Sequence, residues 1–198
     1  MNGKWEGVYT ALTTKFDAGG KIDRLASLRV DDALEHGTDI GPVVDSSQLE
    51  KDLNAITLAK AEGGTLAFGG ERLRRAHEGF YLSPALFTGT TNTMCLNIDE
   101  VFGPVAGVLQ VRDYDEALAV ANDTAFGLCA GICTTSLKHA SHFRRNVQAG
   151  MVMVNLPTAG VDYHVPFGGK KGSNYGTREQ GRYAVEFFTT VKTCYTAP

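Results

Sequence analysis

Asp99-Glu100-Val101-Phe102-Gly103-Pro104 places a carboxylate and an aromatic ring, Glu100 and Phe102, two residues apart on one side of an extended segment. In that arrangement the ring can stack on a flat ligand while the carboxylate accepts hydrogen bonds from hydroxyls. A solvated acidic pair followed by a core phenylalanine and a turn explains the same residues, and spacing does not separate the two. Pro166-Phe167-Gly168-Gly169-Lys170-Lys171-Gly172 has the composition of a phosphate cradle, because glycines allow close backbone approach and lysines supply charge. The order differs, since the chain contains neither G-x-x-x-x-G-K-[ST] nor G-x-G-x-x-G after a strand, and a structural loop is favoured.

His139 and His142 stand at i and i+3 of a predicted helix, near enough to share a metal, with Cys133 a few residues away. No Cys-x-x-Cys pair or carboxylate at ligand spacing completes a set, so two imidazoles on a helix face are the better reading. His164 adjoins a long loop, but no G-x-S-x-G nucleophile motif accompanies it. Cys95, Cys129, Cys133 and Cys194 are sparse in a chain of 198 residues, which predicts reduced thiols. Cys129 and Cys133 flank a strand-like run spanning about 13 Å, beyond disulfide reach, and read as buried small hydrophobes.

The elements that must position these residues alternate along the chain. Ser47-Gln48-Leu49-Glu50 reads as a capping box, with Leu49, Leu53 and Ile56 at helical spacing until Gly63-Gly64. Thr65 to Phe68 is a short apolar run, and Tyr81 to Phe87 carries Pro84 and so predicts an edge strand or a bend. Val105 to Val111 reads as a strand. Asp113 to Glu116 opens a helix to Asn122, and Leu128 to Cys133 is extended again. Ser136 caps a further helix whose apolar face is Leu137, Ala140, Phe143 and Val147, with Gly150 as its C-terminal cap and Met151 to Val154 as a buried strand. Strands and helices in this order predict a three-layer α/β/α fold, a mostly parallel sheet covered on both faces. The run from Asn155 to Gly176 is a long loop of the kind that carries function. Glu179 to Phe188 predicts a short helix, and Thr189 to Thr196 a terminal strand that needs an edge to pair with, an edge another subunit can supply.

Nineteen basic and twenty-two acidic residues give a net charge of −3, which leaves no electrostatic footprint for nucleic acid. No apolar run approaches the roughly 20 residues of a membrane span. With reduced thiols and no leader-like start, the expectation is a cytoplasmic protein.

Three segments taken together, Asp99 to Pro104, Ala121-Asn122-Asp123-Thr124 through Phe126-Gly127-Leu128, and Pro166-Phe167-Gly168-Gly169, resemble the aldehyde dehydrogenase superfamily in order and spacing. Gly41-Pro42-Val43-Val44, Ala149 to Asn155 and Val191-Lys192-Thr193 fit the same pattern, so the resemblance runs from about Asp23 to Tyr195. The stretches from Asn155 to His164 and on to Arg178-Glu179-Gln180-Gly181 look most like the 2-oxoglutarate-semialdehyde dehydrogenase branch.

In that family a cysteine thiolate attacks the aldehyde, hydride passes to NAD or NADP, and a glutamate-activated water releases the acid. The resemblance implies that Glu100 holds the nicotinamide-ribose hydroxyls and that Phe102 packs on the nicotinamide ring. It also implies that Phe167 walls the substrate pocket, with Asn155 and the loop to His164 beside it. Glu179 to Phe188 would return to the coenzyme domain, and Thr189 to Tyr195 would pair across a subunit interface of a homo-oligomer. The nucleophile's Gly-Gln-x-Cys context does not occur around any of the four cysteines. By the resemblance, the nucleophile, the general-base glutamate and the coenzyme-binding half are expected upstream of Met1. The implied organisation is an atypical segment at 1–20, a partial catalytic domain at 21–176 and a C-terminal helix and oligomerisation strand at 177–198. Such a chain is expected to be inactive alone. An interaction module docking on a full-length subunit, or a truncated remnant, are the competing expectations.

Overall fold

The computed structural model describes the backbone of Gly7–Tyr9 and residues 27–198. The atypical segment assigned to 1–20 therefore lies outside the described residues, apart from Gly7–Tyr9. Met1, before which the nucleophile and the general base are expected, lies outside them as well. The chain forms two compact units that divide between Asp113 and Tyr114, where the sequence marked no boundary.

In the first unit, helix α1 (Ser46–Ala61) starts where the Asp45 carboxylate accepts a hydrogen bond from the Gln48 backbone N at 2.8 Å. The cap is thus Asp45 and not Ser47. Capping-type residues run from 45 to 47, and the one in extended conformation two residues earlier takes the role. The buried face of α1 is Leu49, Asp52, Ile56 and Ala59, with Leu53 only half-buried. This face packs on a sheet in the order β2 (Thr65–Phe68), β5 (Ala85–Thr88), β6 (Val105–Gly107). Strands β2 and β5 are antiparallel, and β5 and β6 are parallel.

Of the two alternatives for Tyr81 to Phe87 the bend holds: β4 (Tyr81–Leu82) pairs with β3 (Arg72–Leu73) in a two-stranded sheet, and β5 lies between two partners in another. Pro84, which lacks an N–H, stands at the break between β4 and β5 and leaves both ladders intact. The strand predicted to Val111 stops at Gly107. Helix α2 (Cys95–Ile98) is a single turn before the Asp99–Pro104 loop.

In the second unit, α3 (Tyr114–Asn122), β7 (Cys129–Cys133), α4 (Leu137–Asn146) and β8 (Met151–Val154) follow in order, and β7 and β8 are parallel across the α4 crossover. Strand β1 (Gly7–Tyr9) joins the outer edge of β7 antiparallel. The fold is α/β, with a parallel pair in each of the two three-stranded sheets. The Ser136 hydroxyl accepts from the His139 backbone N at 3.2 Å, and Arg144 and Arg145 occupy the last turn of α4, where cations complement the helix dipole. Phe143 and Val147 are buried, but Leu137, the first residue of α4, is exposed.

Gly150 is not a cap, since α4 ends at Asn146 with Val147 as its cap residue. Its role is close approach. A Cβ on Gly150 would stand 2.0 Å from the Gly168 carbonyl oxygen, so the strand entrance and the Pro166–Gly172 loop meet backbone to backbone. The C-terminal region forms a 3-10 turn at Gly181–Tyr183 and α5 (Ala184–Phe188). Residues 189–198 are exposed and form no strand within the chain.

Phe143 is 0% exposed at the centre of the second unit's core. Phe143→Ala is expected to destabilise that unit by about 3–5 kcal/mol. Urea unfolding followed by circular dichroism measures the loss, and an unchanged midpoint would contradict this packing.

Candidate functional site

The Asp99–Pro104 segment leaves α2 extended, buries Val101 and then turns at Phe102, which has φ +63°. A left-handed conformation at a bulky residue is uncommon and is held by its surroundings. It removes Phe102 from the regular extended geometry that spacing implied. The outcome keeps both side chains out of the core by a different route: the core residue of the motif is Val101, and the Phe102 ring is 79% exposed. The plainer reading, a core phenylalanine, fails at this residue.

Helix α1 supplies the restraint. Lys51 Nζ donates to the Glu100 carbonyl at 2.7 Å, and Gln48 Nε2 donates to the Val101 carbonyl at 2.7 Å. The Pro104 carbonyl accepts from Ala85 N at 2.8 Å, which fastens the loop's exit to β5. At the loop's entrance, the Glu62 carboxylate accepts from Cys95 N at 3.0 and 3.2 Å and so ties the end of α1 to the start of α2. The Glu100 side chain is exposed. An open groove is lined by the Ile40–Val44 segment, Gln48, Lys51 and Phe102–Pro104.

Beneath the loop lies a residue that the apolar periodicity did not reveal. Asp52 is 0% exposed, and its Oδ1 accepts from Gln48 Nε2 at 2.7 Å. Burial pushes its carboxyl above the usual aspartate range, against smaller opposing effects of the Gln48 hydrogen bond and the Lys51 charge. The available signal was positional: Asp52 falls three residues after Leu49 and four before Ile56, inside the helix's core-facing stripe.

The remaining expected site residues lie in the second unit. Asn155 has φ +56°, and its side chain is engaged by Thr134: Oδ1 accepts from Thr134 N at 2.8 Å and Nδ2 donates to Thr134 O at 2.9 Å. His164 is exposed and meets the Tyr163 ring edge-on at 5.5 Å. Phe167 is half-buried and exchanges two backbone hydrogen bonds with Glu179, at 2.7 and 2.9 Å. Glu100 and Phe102 thus share one loop, whereas Asn155, His164 and Phe167 belong to three separate points of the 155–179 region.

The lysine-containing loop binds its own chain. Lys170 N donates to Gly127 O at 2.9 Å, Gly172 N donates to Ala125 O at 3.0 Å, and Lys171 Nζ donates to the carbonyls of Asn122 and Thr124. His139 and His142 are both taken up by Tyr114, whose ring stacks on His139 at 4.3 Å and whose hydroxyl hydrogen-bonds His142 Nδ1 at 2.9 Å. Cys133 is exposed and Cys129 half-buried, so the pair is not the buried one expected: β7 ends at Cys133, where the strand leaves the core. The Cys95 thiol is pushed up by its hydrogen bond to Glu62, and burial pushes Cys129 up. Both shifts disfavour the nucleophilic thiolate.

The Aldehyde dehydrogenase family profile matches residues 7–194. The chain belongs to the aldehyde dehydrogenase family. The match begins at residue 7, upstream of Asp23, where the motifs first resemble the family. The alpha-ketoglutarate semialdehyde dehydrogenase of Haloferax volcanii is 43% identical over 177 residues, 88% of this chain and 36% of that protein. The corresponding Bacillus subtilis enzyme is 37% identical over 179 residues, 89% of this chain and 37% of that protein. Among solved structures, HpcC from Thermus thermophilus superposes with a TM-score of 0.80 at 35% identity, over 92% of this chain and 37% of that one. Betaine aldehyde dehydrogenase from Staphylococcus aureus, solved with NAD+, gives 0.79 at 29% identity, over 84% of this chain and 33% of that one. The aldehyde dehydrogenase chain described here therefore spans little more than a third of these relatives' length.

Because the folded-state pKa of Asp52 lies above the ordinary value of 3.8, its contribution to stability is full below that value and is lost as pH rises through the folded pKa. The thermal midpoint of the first unit is expected to fall across that interval, and Asp52→Asn is expected to flatten the fall. Parallel pH slopes for the two proteins would contradict the assignment.

Proposed function

We propose that this chain is the C-terminal catalytic-domain part of an NAD(P)-dependent aldehyde dehydrogenase that, when whole, oxidises a semialdehyde such as 2-oxoglutarate semialdehyde in the cytoplasm. The observation that carries the proposal is the Phe102 ring, offered to solvent from a restrained left-handed position two residues from the exposed Glu100. A planar aromatic face and a carboxylate acceptor fit a nicotinamide ring and its ribose hydroxyls. Bound there, the coenzyme would supply the hydride acceptor. The chain's own residues would do the holding: Phe102 stacks, Glu100 accepts, and Lys51 and Gln48 keep the loop in place. Asn155, His164 and Phe167 are proposed to border the aldehyde pocket, with Asn155 acting through Thr134 to set the course of the loop after β8.

The chain alone is proposed to lack turnover. None of its four cysteines stands in the Gly-Gln-x-Cys context, and the two with shifted thiols are shifted away from the thiolate. Purified protein mixed with 2-oxoglutarate semialdehyde and either NAD+ or NADP+ is expected to produce no NAD(P)H. Turnover abolished by thiol alkylation would overturn that expectation. Nicotinamide mononucleotide at millimolar concentration is expected to give saturation-transfer signals that weaken in Phe102→Ala and in Glu100→Ala. Equal signals in all three proteins would overturn the assignment of the site.

A second reading, pairing with another subunit, is favoured by the C-terminal segment. Val191 is 97% exposed and Tyr195 94% exposed, in a stretch of β-forming residues with no strand partner among the described residues. We infer that 189–195 adds to a sheet edge of a second subunit. Removing residues 189–198 is expected to lower the mass observed by light scattering from oligomer to monomer, and an unchanged mass would exclude this segment as the contact.

A further inference from the structure

Three polar residues on one side of α1 meet residues 100–103, and two of them hold carbonyls directly. The third, Asp52, reaches no backbone group. Its Oδ1 accepts from Gln48 Nε2, its Oδ2 has no hydrogen-bond partner, and a Cβ built on Gly103 would lie 2.1 Å from Oδ1 and 2.2 Å from Oδ2. Burying a carboxyl with one oxygen unpartnered is costly, whereas an aliphatic residue would continue the Leu49–Ile56–Ala59 stripe. Stability does not explain an acid at this position.

We propose that Asp52 is a positioning residue for the loop that carries Glu100 and Phe102, acting through the Gln48 amide and through its contact with Gly103. The assignment rests on the reading of those two residues as coenzyme contacts. Gln48 Nε2 has two hydrogens, and the structure uses both, one on Asp52 Oδ1 and one on the Val101 carbonyl, each at 2.7 Å. With both engaged, the amide presents its nitrogen to Val101. Without the Asp52 acceptor it is free to rotate and to turn its own oxygen toward that carbonyl. The carboxyl also forms the floor under Gly103, where only glycine fits, so it sets the height at which the chain passes and the turn at Phe102 that precedes it.

Acceptor and volume are separable by substitution. Asp52→Asn keeps both. Asp52→Leu keeps the forked outline, adds volume and removes the acceptor. Gln48→Met keeps side-chain length and removes both donors. Amide hydrogen exchange of the full chain, read by mass spectrometry, is expected to be about tenfold faster at residues 100–103 and 105 in Asp52→Leu, with 86–88 and 151–154 unchanged. Asp52→Asn is expected to remain within about twofold of the unsubstituted protein at every peptide. Gln48→Met is expected to show the same local acceleration, and it decides the matter if Asp52→Leu does not fold. Unchanged exchange at 100–103 and 105 in Gln48→Met, acceleration spread evenly over the first unit in Asp52→Leu, or loosening by Asp52→Asn equal to that by Asp52→Leu would each overturn the proposal. The nicotinamide mononucleotide signal is expected to weaken in Asp52→Leu and to recover in Asp52→Asn. If the unsubstituted protein gives no such signal while the exchange pattern holds, the coenzyme reading fails and the positioning assignment stands.

Discussion

A single side-chain amide joins helix to loop in the first unit. Gln48 faces a buried carboxyl on its own helix and a main-chain carbonyl 53 residues away, and donates to both. Regular secondary structure satisfies backbone groups in bulk, but the 99–104 loop has no ladder of its own and must find partners singly. It finds them on α1 and on β5. Because these partners belong to elements sealed into one hydrophobic cluster, the loop inherits their rigidity. An exposed phenylalanine on a freely moving loop would lose much of its ordering advantage on binding; one held by its backbone neighbours has little left to order.

The second unit adds bare backbone to the same device. The 166–172 loop approaches the entrance of β8 so closely that a Cβ on Gly150 would meet the Gly168 carbonyl oxygen. Main-chain hydrogen bonds from Lys170 and Gly172 then fasten the loop, together with the Lys171 side chain. The two units therefore share long polar side chains as fasteners, and the second adds a close peptide contact that only glycine permits.

Much of this was legible along the chain. Helices α3 and α4 fall where capping residues and apolar spacing place them, because both signals are local and act within one turn. The β7–α4–β8 crossover follows from two apolar runs separated by an amphipathic stretch. What escaped depends on contacts distant in sequence. Three capping-type residues, Asp45, Ser46 and Ser47, stand at the start of α1, and which of them caps depends on how the preceding segment enters. Leu53 looked like a core residue by spacing, yet the face that turns inward carries Asp52. An aromatic beside a turn defaults to the core, and only the left-handed backbone at Phe102 sends it outward. Asn155 offered a polar group at the mouth of a long loop, and its amide is consumed by Thr134 across the ends of β7 and β8. Residues 189–196 have strand propensity, which becomes a strand only when an edge is present to receive it.

Lys171 fixes the meaning of the glycine-rich loop. Its ammonium sits at the carboxyl end of α3, where the last carbonyls of the helix point without helical partners. A lysine so placed is a bolt rather than bait. Its charge is already matched by the carbonyls of Asn122 and Thr124, so an approaching phosphate would have to compete with the protein's own backbone for it. A loop whose composition mimics an anion trap is in this chain a fastening for a helix end. The same letters, Gly-Gly-Lys-Lys-Gly, carry opposite meanings according to whether a helix begins after them or ends beside them.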